Sequence, residues 1–322
     1  MQYGHIEGVS KPISRLVQGS VMMSTKEYER GAELFDAVLE LGGNCFDTAH
    51  VYGNGDVERA FGRWVAERGV RDKIVIIGKG AHHNQDRKRV TPYDISADIH
   101  DTLARMKVDF LDIYLLHRDN PEVPVGPIVE VLNEHKAAGR IGIFGGSNWS
   151  YQRITEANEY AAAHGLVPFS ASSPNFSLAD QINPPWEGCI SISGPSRKDA
   201  RDFYVANQMP LFTWSSLAGG FFSGRLRRDN IDTFETYLDK LAVYSYASEE
   251  NFQRLDRVQQ LADEKGMTIP QIATAYIMSQ NLNIFALVGC QTREEFAANV
   301  AAADLRLTPE ESAWLDLRAD SR

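Results

Sequence analysis

The chain has 322 residues, 43% of them apolar and 24% charged, with a formal net charge of -10. These are the proportions of a globular enzyme, and the acidic balance excludes a nucleic-acid binder, which needs basic surface. No run of eighteen apolar residues could cross a membrane. The start, Met1-Gln2-Tyr3-Gly4-His5, lacks the basic and apolar parts of a signal peptide, and Cys45, Cys189 and Cys290 are too scattered for a disulfide framework or a metal cluster. A reducing cytoplasm is the expected location.

The first fifteen residues suggest a small hairpin at the bottom of whatever follows. Eight short apolar runs then read as strands, at 16–20, 44–47, 74–78, 111–117, 141–147, 168–172, 211–214 and 284–288. In the first interval Leu34, Phe35, Val38, Leu39 and Leu41 recur at helical spacing. Helical patterns also cover 56–69, 94–107, 126–138, 151–164, 197–207, 251–265, 269–280 and 293–303. Thr91-Pro92, and Thr308-Pro309 before Glu310-Glu311, are helix-entry signals. Strands that are apolar throughout belong to a sheet buried on both faces. Eight alternations of strand and helix predict the α/β class and a (β/α)8 TIM barrel. No linker divides the chain, so residues 1–322 are expected to form one domain. Two long excursions, 173–195 and 215–250, are rich in Gly, Pro, Ser and aromatics and are expected to be functional rim loops after strands six and seven.

Asp47, Tyr52, Lys79 and His117 sit at or just past the ends of the second, third and fourth runs. In a parallel barrel those ends converge on one rim. A carboxylate, a phenol, an ammonium and an imidazole gathered there could deliver a proton to a carbonyl oxygen. Each has a plainer reading alone: Asp47 as a turn cap, Tyr52 as a packing aromatic, Lys79 as a solvated charge, His117 as a structural hydrogen-bonder. Four together favour chemistry. His82 and His83 read as ordinary loop histidines, whereas Trp186 after Pro184-Pro185 is a candidate pocket wall, and Phe176 is a further aromatic of the rim loops. Gly53-Asn54-Gly55 begins like a dinucleotide fingerprint, but Glu58 stands where the third glycine is needed, so a Rossmann reading fails.

Phe46-Asp47-Thr48-Ala49-His50-Val51-Tyr52-Gly53, then Gly78-Lys79, then Leu111 through His117 resemble the signature of the aldo-keto reductase superfamily. Gly145-Gly146-Ser147-Asn148, Trp214-Ser215-Ser216-Leu217 and Val288-Gly289 through Asn299 are similar to that family's cofactor segments. The resemblance runs in order from about residue 12 to the C-terminus. After strand seven it is greatest to the branch of potassium-channel β subunits and related bacterial reductases. It implies an NAD(P)H-dependent carbonyl reductase. Tyr52 would be the general acid, its ordinary pKa of about 10 lowered by Lys79. Asp47 would hold the lysine charged, and His117 would orient the substrate carbonyl.

The resemblance also implies a nucleotide seat. Ser147 and Asn148 would meet the nicotinamide carboxamide, with Ser173 where the family usually has a glutamine. Trp214 would stack on the nicotinamide, followed by Ser215, with Ser216 in place of a usual proline. Leu217 and Gly219 would offer N–H groups to the pyrophosphate and Arg225 a cation. Gly289, Gln291, Glu295 and Asn299 would surround the adenosine, Asn299 reading the adenine edge, with Ala298 replacing a usual glutamate. NADP(H) is the family's default. A carboxylate at 295 would repel a 2′-phosphate and accept a hydrogen bond from a 2′-hydroxyl, which leaves NAD(H) open.

Two other classes compete. A regulatory subunit would hold the cofactor and turn over slowly; the intact quartet argues against it. A Schiff-base aldolase on Lys79 would need a lysine of depressed pKa, which a neighbouring Asp47 opposes. The aromatic and hydroxyl mixture of the rim fits a small-molecule carbonyl substrate, sugar-derived or aryl.

Overall fold

In the computed structural model, which describes residues 1–322, the eight apolar runs form a closed barrel of parallel strands. An antiparallel hairpin precedes it, β1 (Tyr3–Gly4) paired with β2 (Ile13–Ser14). The barrel then runs β3 (Leu16–Gly19), α1 (Tyr28–Glu40), β4 (Cys45–Asp47), α2 (Asp56–Arg68), β5 (Val75–Gly80), α3 (Pro92–Met106), β6 (Leu111–Leu116), α4 (Val125–Ala137), β7 (Ile141–Ser147) and α5 (Tyr151–His164). It continues with β8 (Ala171–Ser173), α6 (Lys198–Asn207), β9 (Leu211–Thr213), α7 (Tyr237–Tyr246), α8 (Glu249–Lys265), α9 (Ile269–Met278), β10 (Ile284–Val288), α10 (Arg293–Asp304) and α11 (Pro309–Leu315). Each barrel strand pairs in parallel with the next, and β10 closes on β3. No helix is long and apolar enough to cross a membrane.

The strands are apolar throughout because both faces are buried. Val17, Cys45, Val75, Ile77, Ile113, Leu115, Ile143, Ala171, Phe212 and Phe285 fill the barrel, and Ile6 and Ile13 of the hairpin join them from below, as expected for a plug. Side chains of the other phase, among them Leu16, Phe46, Ile76, Leu111 and Phe144, pack outward against the helices. Around Phe46 the rings of Phe35, Phe61 and Trp64 lie 4.7, 5.7 and 5.2 Å away. They clamp α1 and α2 to β4, so a Phe46→Ala change would cost about 3–5 kcal/mol of stability.

Two elements depart from the sequence expectation. The sixth barrel strand begins at Ala171 rather than 168. Pro168 has no N–H for a ladder, and Asn158 of α5 engages the Phe169 main chain instead, accepting from its N at 2.8 Å and donating to its O at 3.2 Å. The second excursion contains α7, which the apolar spacing did not reveal. Thr236 caps α7 by accepting from Asp239 N, but only Ala242, Ser245 and Tyr246 of this helix are buried. Tyr237, Leu238 and Tyr244 face solvent, so the inward stripe is too short to read.

Candidate active site

Strand phase builds the pit. Side chains of a strand alternate between faces, so Asp47 shares the inward face of Cys45, and Lys79 that of Ile77. His117, one residue past β6, likewise follows Leu115. Registers of Asp47 with Ile77, and of Lys79 with Leu115, set these groups one layer above the apolar fill. All three are buried. Tyr52 comes from the turn after β4, where Gly53, Asn54 and Gly55 take φ values of 54, 52 and 88°. This left-handed run suits glycine and asparagine and accounts for the Gly-Asn-Gly motif without any phosphate. Glu58, the residue that broke the fingerprint, is fully buried, accepting from Thr102 Oγ1 at 2.7 Å and Arg105 Nη1 at 2.9 Å. Arg105 Nη1 also donates to His50 O at 3.1 Å, which ties the turn that carries Tyr52 to α3.

The four groups meet. Lys79 Nζ donates to Asp47 Oδ1 and lies 5.2 Å from the centroid of the Tyr52 ring. Tyr52 and His117 stand edge to face at 5.8 Å. Burial disfavours the lysine's charge, yet Asp47 and Tyr52 outweigh it and hold the Lys79 pKa above its ordinary value. That is the reverse of what a Schiff-base lysine requires. Burial likewise lifts the Asp47 carboxyl, with Lys79 pulling it back. Burial also pushes the Tyr52 phenol up, and Asp47 adds to the rise. Lys79 lowers it through its charge and a hydrogen bond. The expected direction of the lysine's influence is present, but burial outweighs it and the phenol stays above its ordinary value. His117 is driven well below the usual imidazole range by burial, then by Lys79, Arg118 and His82, so it is neutral. Its Nδ1 is enclosed with no hydrogen-bond partner.

Two further groups border the pit. His82 packs edge to face on His117 at 4.8 Å, while its Nδ1 meets His83 O at 2.7 Å. Arg118 is buried beside the same ring and donates to His117 O. The sequence signal for His82 was only its place three residues after Lys79, and for Arg118 only its place directly after His117.

The residues expected to seat a nucleotide are placed less uniformly. Ser147 ends β7 opposite Ser173 of β8, and its Oγ donates to Ser173 O at 3.1 Å. Asn148 is committed to the protein: its amide nitrogen donates to His117 O and Ser147 Oγ, and its side-chain oxygen accepts from Ile190 N. Trp214 is half-buried just past β9, with Nε1 enclosed and unpartnered. Beyond it, Ser215, Ala218, Gly219 and Gly220 all have positive φ, while Leu217 stays at -100°. Mixed-hand turns of this kind orient N–H groups toward one side and make anion cradles. Gly289 is exposed, and a Cβ built on it would meet nothing within 4 Å, so a ligand can approach its backbone.

The outer members have other partners. Arg225 is exposed and paired with Asp239 of α7 at 2.8 Å. Gln291 accepts from Arg30 Nη2 at 3.3 Å. Glu295 accepts from Gln291 N at 2.7 Å, just before Thr292, which caps α10 by accepting from Glu295 N. Asn299 is buried, accepting from Thr274 Oγ1 at 3.1 Å and donating to Cys290 Sγ at 3.2 Å. Trp186 does reach the rim: its Nε1 donates to Tyr237 Oη at 2.9 Å and latches one excursion to the other. Phe176 is buried in the outer core rather than at the mouth.

Comparison with known proteins supplies the family. The model of the aldo/keto reductase family matches residues 15–317. A putative aryl-alcohol dehydrogenase of Saccharomyces cerevisiae is 28% identical over 92% of this chain and 78% of its own length. A probable voltage-gated potassium channel β subunit of Oryza sativa is 26% identical over 96% and 94%. An aldo-keto reductase from Klebsiella pneumoniae, solved with NADPH, superposes with a TM-score of 0.73 at 21% identity, covering all of this chain and 97% of its own. Barrel, rim quartet and sequence match together place the chain in the aldo/keto reductase family.

Proposed function

We propose that this aldo/keto reductase converts a small aldehyde or ketone to an alcohol at the Asp47–Lys79–Tyr52–His117 pit. The observation that carries the proposal is the buried Lys79–Asp47 pair set directly beside the Tyr52 ring. NADP(H) is the proposed cofactor, supported by the NADPH of the Klebsiella relative, with NAD(H) as the alternative that Glu295 leaves open. Its nicotinamide would supply hydride to the carbonyl carbon. Trp214 with its unpartnered Nε1, Ser147, Ser173, the turn from Ser215 to Gly219, and open-faced Gly289 are the residues that fit such a group. Asn148 helps by fixing His117 O and the Ile190 segment. Arg225, Gln291, Glu295 and Asn299 serve the outer end, and each must loosen a present bond to touch a ligand directly.

Tyr52 is the group that gives the proton. As hydride arrives on carbon, negative charge grows on the carbonyl oxygen, and a phenol beside an ammonium can protonate it. Lys79 then stabilises the phenolate left behind, while Asp47 keeps the lysine pointed inward. Neutral His117 donates a hydrogen bond to the carbonyl without competing as an acid. The aryl-alcohol dehydrogenase relative and the rim aromatics support an aryl aldehyde as substrate, with sugar-derived carbonyls as the alternative. The test is NADPH and NADH oxidation by the purified protein with benzaldehyde and glyceraldehyde, beside fluorescence titration of both cofactors. Tight cofactor binding without turnover of any carbonyl would overturn the reading in favour of a regulatory subunit.

A further inference from the structure

Arg118, Arg153 and Arg254 are the buried arginines of this chain. Arg153 reaches Asp119 and Glu156, and Arg254 reaches Asp316. Arg118 reaches no carboxylate. Its Nε donates to Glu187 O at 3.2 Å and its Nη1 to His117 O at 2.9 Å. Nη2 has no hydrogen-bond partner, yet it is not among the polar atoms sealed away from solvent. It therefore keeps contact with solvent, on a guanidinium whose Nη1 is tied to the main chain of His117.

The group is held firmly. Trp149 Nε1 donates to Arg118 O at 3.1 Å, and a Cβ built on Gly188 of the first excursion would lie 3.3 Å from Arg118 Cδ. Lys79 is already paired with Asp47. Burial first, and Arg118 among the charges, lower the pKa values of His82, His83 and His117. A guanidinium removed from water without a counter-ion is costly, and its planar fork suits a carboxylate.

We propose that Arg118 is the anion-binding group of the substrate pocket and that the substrate carries a carboxylate beside its carbonyl, as an aldehydo or keto acid. The proposal rests on the reading of the pit as a carbonyl-reducing site. The same anion chemistry is offered by the phosphates of a nucleotide cofactor, so the test separates the two.

Steady-state kcat/KM would be measured for 3- and 4-carboxybenzaldehyde against their methyl esters, in wild type, Arg118→Met and Arg118→Lys. Calorimetric dissociation constants for benzoate, benzamide and NADPH would be taken on the same proteins, with melting temperatures to confirm folding. Wild type should prefer the acids to the esters by about tenfold or more, the factor that about 1.4 kcal/mol represents. Arg118→Met should bring that ratio near one and abolish the preference for benzoate over benzamide. Arg118→Lys should restore part of both. An acid-to-ester ratio near one in wild type, or unchanged in Arg118→Met, would overturn the proposal. A tenfold loss of NADPH affinity in Arg118→Met with benzoate binding intact would overturn it too, assigning the guanidinium to the cofactor. Should Arg118→Met not fold, the wild-type ratio decides alone. Arg118-dependent benzoate binding without turnover of any aldehyde would support the anion site while refuting carbonyl reduction.

Discussion

Asp47 and Lys79 stand on barrel strands and His117 one residue past its own, whereas Arg225, Gln291 and Glu295 stand in connections or at a helix start. The first three converge because ladder register and the two-residue alternation of a strand leave each side chain one direction to point. The second three have each found a local partner: Asp239, Arg30 and the Gln291 N–H. A side chain on a strand end is aimed by the whole barrel. One in a loop is aimed by whichever neighbour it meets, so its role in binding depends on what a ligand can displace.

The largest effect that could break this contrast is at Tyr52. Tyr52→Phe removes the proposed proton donor and should lower turnover by about 10²–10⁴-fold, with cofactor affinity nearly unchanged. Wild-type rates in steady-state assays would show that the strand-aimed pit is not the chemical centre.

Lys79→Met comes next. Loss of the ammonium leaves burial and Asp47 to raise the phenol further. Turnover should drop by about tenfold or more, and the alkaline limb of the pH–rate profile should move to higher pH. A profile that stays in place would mean Lys79 only fills space.

A smaller change is expected on the loop side. Glu295→Gln keeps an acceptor for the Gln291 N–H and removes one negative charge. If the carboxylate also lies beside the ribose, the NADPH-to-NADH affinity ratio should widen, by less than the tenfold that about 1.4 kcal/mol represents. An unchanged ratio of dissociation constants would leave Glu295 as a partner of the Gln291 N–H alone.

The smallest effect lies outside both regions. Burial, then Arg140 and His100, push the His135 imidazole down to about 4. An unfolded chain accepts that proton near its ordinary value of about 6.5. Between those two values the unfolded state binds more protons, so this histidine makes stability fall as pH falls through that window. His135→Gln should flatten that part of a melting-temperature curve by on the order of 2 °C. A curve of unchanged slope would show that His135 titrates freely in the folded state.

The sequence by itself determined the barrel, the order of its elements and the placing of Asp47, Lys79 and His117 at one rim. Runs apolar on both faces, alternating with helices, suit a covered parallel sheet, and polar residues in phase with those runs then cap its interior. Tertiary structure decided the rest. It set the sixth strand's start, where Asn158 replaces a ladder that Pro168 cannot extend. It made a helix of Tyr237–Tyr246, whose few inward contacts left no readable stripe. It turned Asn299 inward to Thr274 and Cys290 and brought His82 onto His117. It also left Arg118 buried without a carboxylate. Pairing across distant segments is not written in local spacing, because a charged side chain chooses its partner only after the backbone has delivered the candidates.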